Sequence, residues 1–276
     1  MFWRSLVAVA LSLIFANAIA FLLFNRKANL RRLPYFVVSL LLFFLFSRVY
    51  FLAILPHLRE RETDRQLREL PFYRDLAEVD PQTYGKVWAV VSESAKKGET
   101  TNTISREIAP IVAGTLSKYI GTASDESVIA FADLSIHEVE ELHRSHSDAC
   151  YDYLYPLDKG ATPVASYIDK KSEDETLDVL SRIVHSAAHT PQPLPNAAKA
   201  DALLAPVLSR LANEYGNDLM LIQRKPTAPA ERERVCDITV SLFKNVKTLP
   251  REDASLVLRS LLSEQGTKSK TEPPRR

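Results

Sequence analysis

The chain has 276 residues and 46% hydrophobic content, which is too apolar for a wholly disordered protein and long enough for a sizeable core. Its net charge is only +1 and it has no basic patch interleaved with aromatic residues, so no nucleic-acid partner is expected. With seven glycines and no phosphate-loop or nucleophile-elbow motif, the common nucleotide-binding and hydrolase folds are disfavoured.

The N-terminal 57 residues carry two long apolar runs, six Lys or Arg and no Asp or Glu. Residues 5–24 and 35–55 are each long enough to cross a hydrocarbon core of about 30 Å. The pattern predicts a two-helix transmembrane hairpin over residues 1–57. A cleaved signal peptide is the alternative for the first run, but the apolar residues continue past the candidate cleavage sites to Phe24, which favours an uncleaved helix.

Small residues recur every fourth position in the first span, at Ala8, Ser12, Ala16 and Ala20. Such a ridge lets another helix approach closely. We expect it to contact the second span, or a second copy of the chain in a homo-oligomer. The alternative is that alanine is simply common in membrane helices.

Arg48 lies inside the second predicted span, about 10 Å before its end. An ionisable residue at this depth is a functional candidate. The competing interpretation is that its side chain extends to the nearer interface, beside Tyr50.

Basic residues set the expected orientation, because the loop between the spans has four Lys or Arg and no acid. This loop is predicted to face the cytoplasm, although four arginines between residues 59 and 68 weaken the bias. We therefore expect a bacterial inner-membrane protein whose large domain is periplasmic.

The remaining chain is rich in helix start and stop signals and is predicted to be all-α, with antiparallel helical hairpins over residues 80–266. A charged stalk is expected at residues 58–79 and a disordered tail at 267–276. One further helix is predicted from residue 125 towards 155. The other predicted helices are bounded by Asp80 and Gly98, Thr103 and Gly121, Ser172 and Ala188, Asn196 and Gly216, and Pro250 and Gly266.

One face of the predicted helix from residue 125 presents His143, His146 and Cys150, at spacings i, i+3 and i+7. Together with Cys236 they could complete a tetrahedral zinc site. Half-buried histidines are the alternative, and in an oxidising compartment the two cysteines could instead form a disulfide. No cofactor other than this zinc is expected.

Three tyrosines, Tyr151, Tyr153 and Tyr155, follow Cys150 closely. Such density is typical of protein interfaces, because tyrosine offers a large contact area with a polar tip. The alternative is that these rings close the helical core before Pro156.

The sequence thus favours a membrane-anchored helical module that binds another protein, as an envelope accessory, an assembly subunit or a protective, immunity-type inhibitor. Its expected partners are the lipid bilayer and a protein, and no catalytic residue is predicted. The alternative is a metal-dependent enzyme that uses the His/Cys site of the helical domain.

Overall fold

The computed structural model describes residues 41–45, 47–50, 55–145, 147–155, 167, 169–222, 226 and 228–263. Within these residues all regular secondary structure is helical and no strand occurs, which confirms the all-α prediction. The α-helices are α1 (Leu55–Glu69), α2 (Pro71–Val79), α3 (Pro81–Lys97), α4 (Thr101–Tyr119), α5 (Asp125–Ser145), α6 (Ser147–Leu154), α7 (Lys170–His189), α8 (Ala197–Tyr215), α9 (Pro229–Lys247) and α10 (Arg251–Leu262). Short 3-10 segments, Ile120–Thr122 and Gly216–Ile222, follow α4 and α8.

The chain divides into two compact units, residues 1–66 and 67–276. In the first unit, residues 41–45 and 47–50 are helical and the side chain of Arg48 is exposed. Most of the predicted hairpin, including the whole span 5–24, lies outside the described residues, and so does its small-residue ridge of Ala8, Ser12, Ala16 and Ala20. No helix in the described part has both the length and the apolarity required of a membrane span.

The second unit contains a packed helical domain that begins at Leu67, earlier than the boundary at Asp80 expected from the sequence. Residues 71–79, expected in the stalk, form α2, and its Phe72 and Leu76 are almost completely buried against the rest of the domain. The charged residues of this stretch indicated a stalk, but Phe72 and Leu76, four residues apart, form the buried face of a short amphipathic helix. The tail at 267–276 lies outside the described residues.

Helix ends follow the predicted capping signals most closely in α3 and α8. The Asp80 side chain accepts a hydrogen bond from the Thr83 amide, and α3 ends at Gly98 in the left-handed conformation that glycine adopts without a Cβ clash. Asn196 caps α8, which ends at Gly216, as predicted.

Two predicted helix starts are wrong by three residues, because a side chain upstream provides the cap. Thr100 rather than Thr103 caps α4, and its hydroxyl accepts from the Thr103 amide. Asp169 likewise caps α7 by accepting from the Ser172 amide. In each case the residue taken as the cap is the third residue of the helix.

Three apolar clusters form the core. The first lies among α5, α7, α8, α9 and α10, and the second among α2, α3, α4 and α7. Helix α7 contributes to both, with Ile183 in the first and Val184 in the second. A third, smaller cluster joins the end of α5 to α6 and α9, and it surrounds the two cysteines.

Candidate functional site

The two cysteines form a disulfide between α6 and α9, which decides one of the alternatives left open by the sequence. Cys150 and Cys236 are 86 residues apart in sequence, and their Cα atoms are 6.3 Å apart. Both side chains are buried, together with Val139, Leu142 and Tyr151. The disulfide therefore closes an apolar cluster formed by three helices.

A cleft of about 460 Å³ opens beside this disulfide, between α5 and α9. Cys236 forms part of its wall, so the cleft lies beside the disulfide. The other lining residues are Val139, Glu140, His143, Arg144, Tyr215, Asp237, Val240 and Ser241. Because charged, hydroxyl and apolar groups all line this space, it is the best candidate for a ligand site in the described part of the chain.

His143 is the central polar residue of the cleft. Its Nε2 atom lies 3.6 Å from Oδ1 of Asp237, whereas its Nδ1 atom is buried and has no hydrogen-bond partner among the described residues. One ring nitrogen of His143 lies within 4.8 Å of both cysteine sulfurs. The predicted metal ligands His143, Cys150 and Cys236 are thus brought together, while His146 lies outside the described residues.

The predicted zinc site nevertheless differs from the structure in its chemistry. Zinc is held by cysteine thiolates, and the two sulfurs here are covalently joined to each other. The residues are adjacent as the sequence suggested, but in this oxidised state neither cysteine can supply a thiolate.

The hydroxyl groups of the cleft are directed at each other and not at the histidine. The Tyr215 and Ser241 hydroxyl oxygens are 2.6 Å apart, and Arg234 stacks over the Tyr215 ring. Burial raises the pKa of the Tyr215 hydroxyl above its usual value. The His143–Asp237 pair therefore lacks a described hydroxyl nucleophile in hydrogen-bond contact, which a Ser-His-Asp mechanism would require.

The three tyrosines that follow Cys150 are mostly directed inward. Tyr151 is 2% exposed, and the guanidinium of Arg232 lies 5.1 Å from the centre of its ring. Tyr153 donates to Glu138, and Tyr155 is half-buried and stacks on Tyr151. Tyr151 and Tyr153 have the positions expected if the rings close the core, which leaves Tyr155 as the tyrosine best placed to contact a partner.

A buried carboxyl group, Glu138, was not predicted. It is 2% exposed, and it bonds the Tyr153 hydroxyl at 2.5 Å and the Thr176 hydroxyl at 2.6 Å, which links α5 to α6 and α7. Burial raises the pKa of Glu138 above its usual value and outweighs the effect of these two hydrogen bonds. The signal in the sequence is that Glu138 lies four residues from both Leu134 and Leu142, on the apolar face of α5.

The Thr176 hydroxyl beside Glu138 has two acceptors within hydrogen-bond distance. The Thr176 hydroxyl oxygen is also 2.8 Å from the carbonyl oxygen of Ser172, and a hydroxyl has only one hydrogen to donate. The Ser172 carbonyl and the Glu138 carboxyl are therefore alternative acceptors for this hydrogen. Glu138 is thus a structural group whose pKa is raised by burial.

Comparisons with protein-family models, with curated proteins and with solved structures gave no match for this chain. The fold and the site define an all-helical domain that is cross-linked by one disulfide beside a cleft containing a histidine and an aspartate.

Proposed function

We propose that this chain is a membrane-anchored helical module that binds another protein and holds its helical domain on the periplasmic side of a bacterial inner membrane. Its role in that setting is that of an envelope accessory, an assembly subunit or a protective inhibitor. The observation that carries the proposal is the buried disulfide between Cys150 and Cys236. Disulfides persist in the periplasm and are rare in the reducing cytoplasm.

The N-terminal sequence supports the anchor. Residues 5–24 and 35–55 have the length and composition of membrane spans. Within the part of the second span that the structure describes, large apolar side chains are exposed at Leu41, Phe44, Leu45 and Val49. Exposure of these apolar side chains to water is unfavourable, and a lipid environment would cover them.

Binding is favoured over catalysis because most groups with a shifted pKa are used structurally, and the hydroxyl of Tyr215, which does line the cleft, is bonded to Ser241. Glu138 and Tyr153 bond each other inside the core, and Asp80 caps a helix. Catalytic groups with shifted pKa values are instead expected to line a cleft. The alternative function, a metal-dependent enzyme, requires two thiolates from the cysteines that form the disulfide.

The first experiment tests membrane attachment and sidedness in intact bacterial cells that produce the full chain. We expect the chain to remain in the membrane fraction after alkaline carbonate extraction. A protease added to spheroplasts should digest the helical domain, and a cytoplasmic marker protein should survive as the control. A chain released by carbonate would contradict the anchor, and a domain protected until lysis would contradict the periplasmic location.

The second experiment tests protein binding by photo-crosslinking in the same cells. A photoreactive amino acid is placed at Leu208 or Met220, which are exposed, and at Ile183, which is fully buried, as the matched control. A defined partner band from an exposed position, absent from the buried control, is the expected result. The binding role is wrong if no protein crosslinks to the probe at Leu208, at Met220 or, in a third variant, at Tyr155, and no stoichiometric protein copurifies in detergent.

A further inference from the structure

The two sulfurs of the disulfide and one nitrogen of His143 are a potential set of metal ligands, which the sulfur–sulfur bond makes unusable in the oxidised state. One nitrogen of His143 and the sulfurs of Cys150 and Cys236 all lie within 4.8 Å of one another. Ligand atoms in a tetrahedral zinc site are about 3.5 to 3.8 Å apart, as its bond lengths require. Once the sulfur–sulfur bond is broken the two sulfurs can separate to this distance, and the histidine nitrogen then has to approach them by about 1 Å.

We propose that His143, Cys150 and Cys236 form a Zn²⁺ site when the disulfide is reduced, so that the same residues alternate between a covalent cross-link and a metal site. This site needs neither the membrane anchor nor the protein partner. It requires only that a reductant reaches the disulfide, and Cys236 borders the cleft through which it would enter.

The histidine is arranged as a metal ligand. Asp237 lies beside Nε2, at 3.6 Å, and the buried Nδ1 has no partner among the described residues. Metal-bound histidines usually direct their second nitrogen to a carboxylate or carbonyl, which orients the ring and increases its basicity. With the metal bound through Nδ1, the nitrogen that has no partner among the described residues, Asp237 would have this role at Nε2.

Charge balance also favours a divalent metal here. The third apolar cluster surrounds the two sulfurs, and an uncompensated charge in such surroundings is costly. Two thiolates and one Zn²⁺ are together neutral. Three protein ligands leave the fourth position of the metal open, and a water molecule in the adjoining cleft can occupy it.

The reaction balances with a phosphine as the reductant. The phosphine gives two electrons to the disulfide and is oxidised to the phosphine oxide, with an oxygen atom taken from water. The sulfur–sulfur bond breaks, and the two protons of that water go to the sulfurs to form two thiols. When Zn²⁺ binds, both thiols release their protons to solvent and two zinc–sulfur bonds form.

The test compares the full chain in detergent before and after phosphine reduction, with Zn²⁺ or Co²⁺ alone as the probe. We expect the reduced chain to bind one metal ion per molecule and the oxidised chain to bind none at this site. Cobalt should give a thiolate charge-transfer band in the reduced sample only. The exposed pair His185 and His189, whose ring centres are 4.4 Å apart, would bind metal equally in both states, so the difference isolates the disulfide site.

Two matched variants on α5 assign the ligand. His143→Asn should weaken metal binding by the reduced chain at least about 10-fold to 100-fold, the range seen when only the surroundings of a ligand are disturbed. His137→Asn is the control, because His137 is exposed and pairs with Glu141 away from the cysteines. Equal metal binding by these two variants would overturn the proposal.

Helix content is followed by circular dichroism in the same samples, since reduction could unfold the domain. If the reduced chain stays folded, the absence of redox-dependent metal binding overturns the proposal. If it unfolds, recovery of helix on addition of Zn²⁺ to the wild type but not to His143→Asn supports the proposal. Failure of Zn²⁺ to restore the helix in the wild type overturns it.

Discussion

Lys118 near the end of α4 donates a hydrogen bond to Asp80, the residue that caps α3, with Nζ 2.6 Å from Oδ2. The same carboxylate accepts from the amide and hydroxyl of Thr83 and from the hydroxyl of Tyr119. Burial alone would raise the pKa of Asp80, but the hydrogen bonds and the lysine charge outweigh it and lower the pKa to about 2. One carboxylate thus fixes the start of one helix to the end of the next.

Replacing this carboxylate should destabilise the domain at neutral pH. For Asp80→Asn we expect a loss of about 1 to 2 kcal/mol in the free energy of unfolding, because the amide keeps a capping oxygen but loses the charge. Since the folded pKa is depressed, the stabilisation is present above the ordinary pKa near 3.8 and is lost as the pH falls towards 2. Urea denaturation at a series of pH values measures both effects.

The control for this prediction is Asp178→Asn. Asp178 pairs with Arg182 at 3.4 Å on the exposed side of α7, and such surface pairs contribute about 0 to 1 kcal/mol. If Asp80→Asn costs no more than this control, Asp80 does not have the stabilising role assigned to it.

Glu138 should give the domain a pH dependence of the opposite sign. Its folded pKa is raised, so the folded state holds the proton more tightly than the unfolded state does. This contribution is fully present below the ordinary value near 4.5 and is lost as the pH rises through the raised pKa. Relative to Glu138→Gln, the wild type should therefore become less stable over that interval, as measured by urea denaturation.

A matched comparison for Glu138 is Glu93→Gln, which removes a fully exposed carboxylate paired with Lys97 on α3. Between pH 4.5 and neutrality, the free energy of unfolding of Glu93→Gln should change with pH almost as that of the wild type does. If the free energy of unfolding of Glu138→Gln also follows that of the wild type over this pH interval, the buried carboxyl group titrates normally.

The disulfide should supply a large share of the stability of the domain. With a sequence separation of 86 between Cys150 and Cys236, the chain-entropy model gives about 4.6 kcal/mol, because the cross-link restricts the unfolded chain. The double variant Cys150→Ala, Cys236→Ala should lose this amount in urea denaturation under non-reducing conditions. Adding a reductant should shift the wild type towards the double variant and leave the double variant unchanged.

Substituting alanine for three glycines should change the stability of the domain in opposite directions, as measured by thermal unfolding. Gly85 in α3 and Gly114 in α4 are exposed helical positions with open space where a Cβ would lie, so Gly→Ala should stabilise by about 0.5 to 1 kcal/mol at each. Gly98 has φ +70°, and Gly98→Ala should destabilise by about 1 kcal/mol. Stabilisation by all three substitutions would contradict the assigned end of α3.

Local signals explain which parts of the fold were predictable. The Asp80–Gly98 and Asn196–Gly216 pairs define α3 and α8 because capping depends only on side chains next to the helix ends. Near the start of α4, Thr100, Thr101 and Thr103 all have hydroxyl groups suited to capping. Thr100 is the cap because its backbone is extended, whereas the other two lie within the helix.

Only part of the candidate site was predictable from the sequence. Helical spacing grouped His143 with Cys150, which lie on α5 and α6 in the structure, but it cannot show whether Cys236 of α9 meets them as a thiolate or as a disulfide partner. Asp237 and Tyr215 depend on contacts among α5, α8 and α9, which have no local sequence signal. The same reason explains why Glu138 was passed over as one charge among many.

The cross-link between α6 and α9 also affects how damage to this protein would be detected. All of α7 and α8 lie between the two cysteines in the chain. A protease that cuts once between Cys150 and Cys236 leaves both fragments covalently joined, so a nicked molecule keeps its full mass on a non-reducing gel. A single cut in this stretch would therefore become visible only after the sample is reduced.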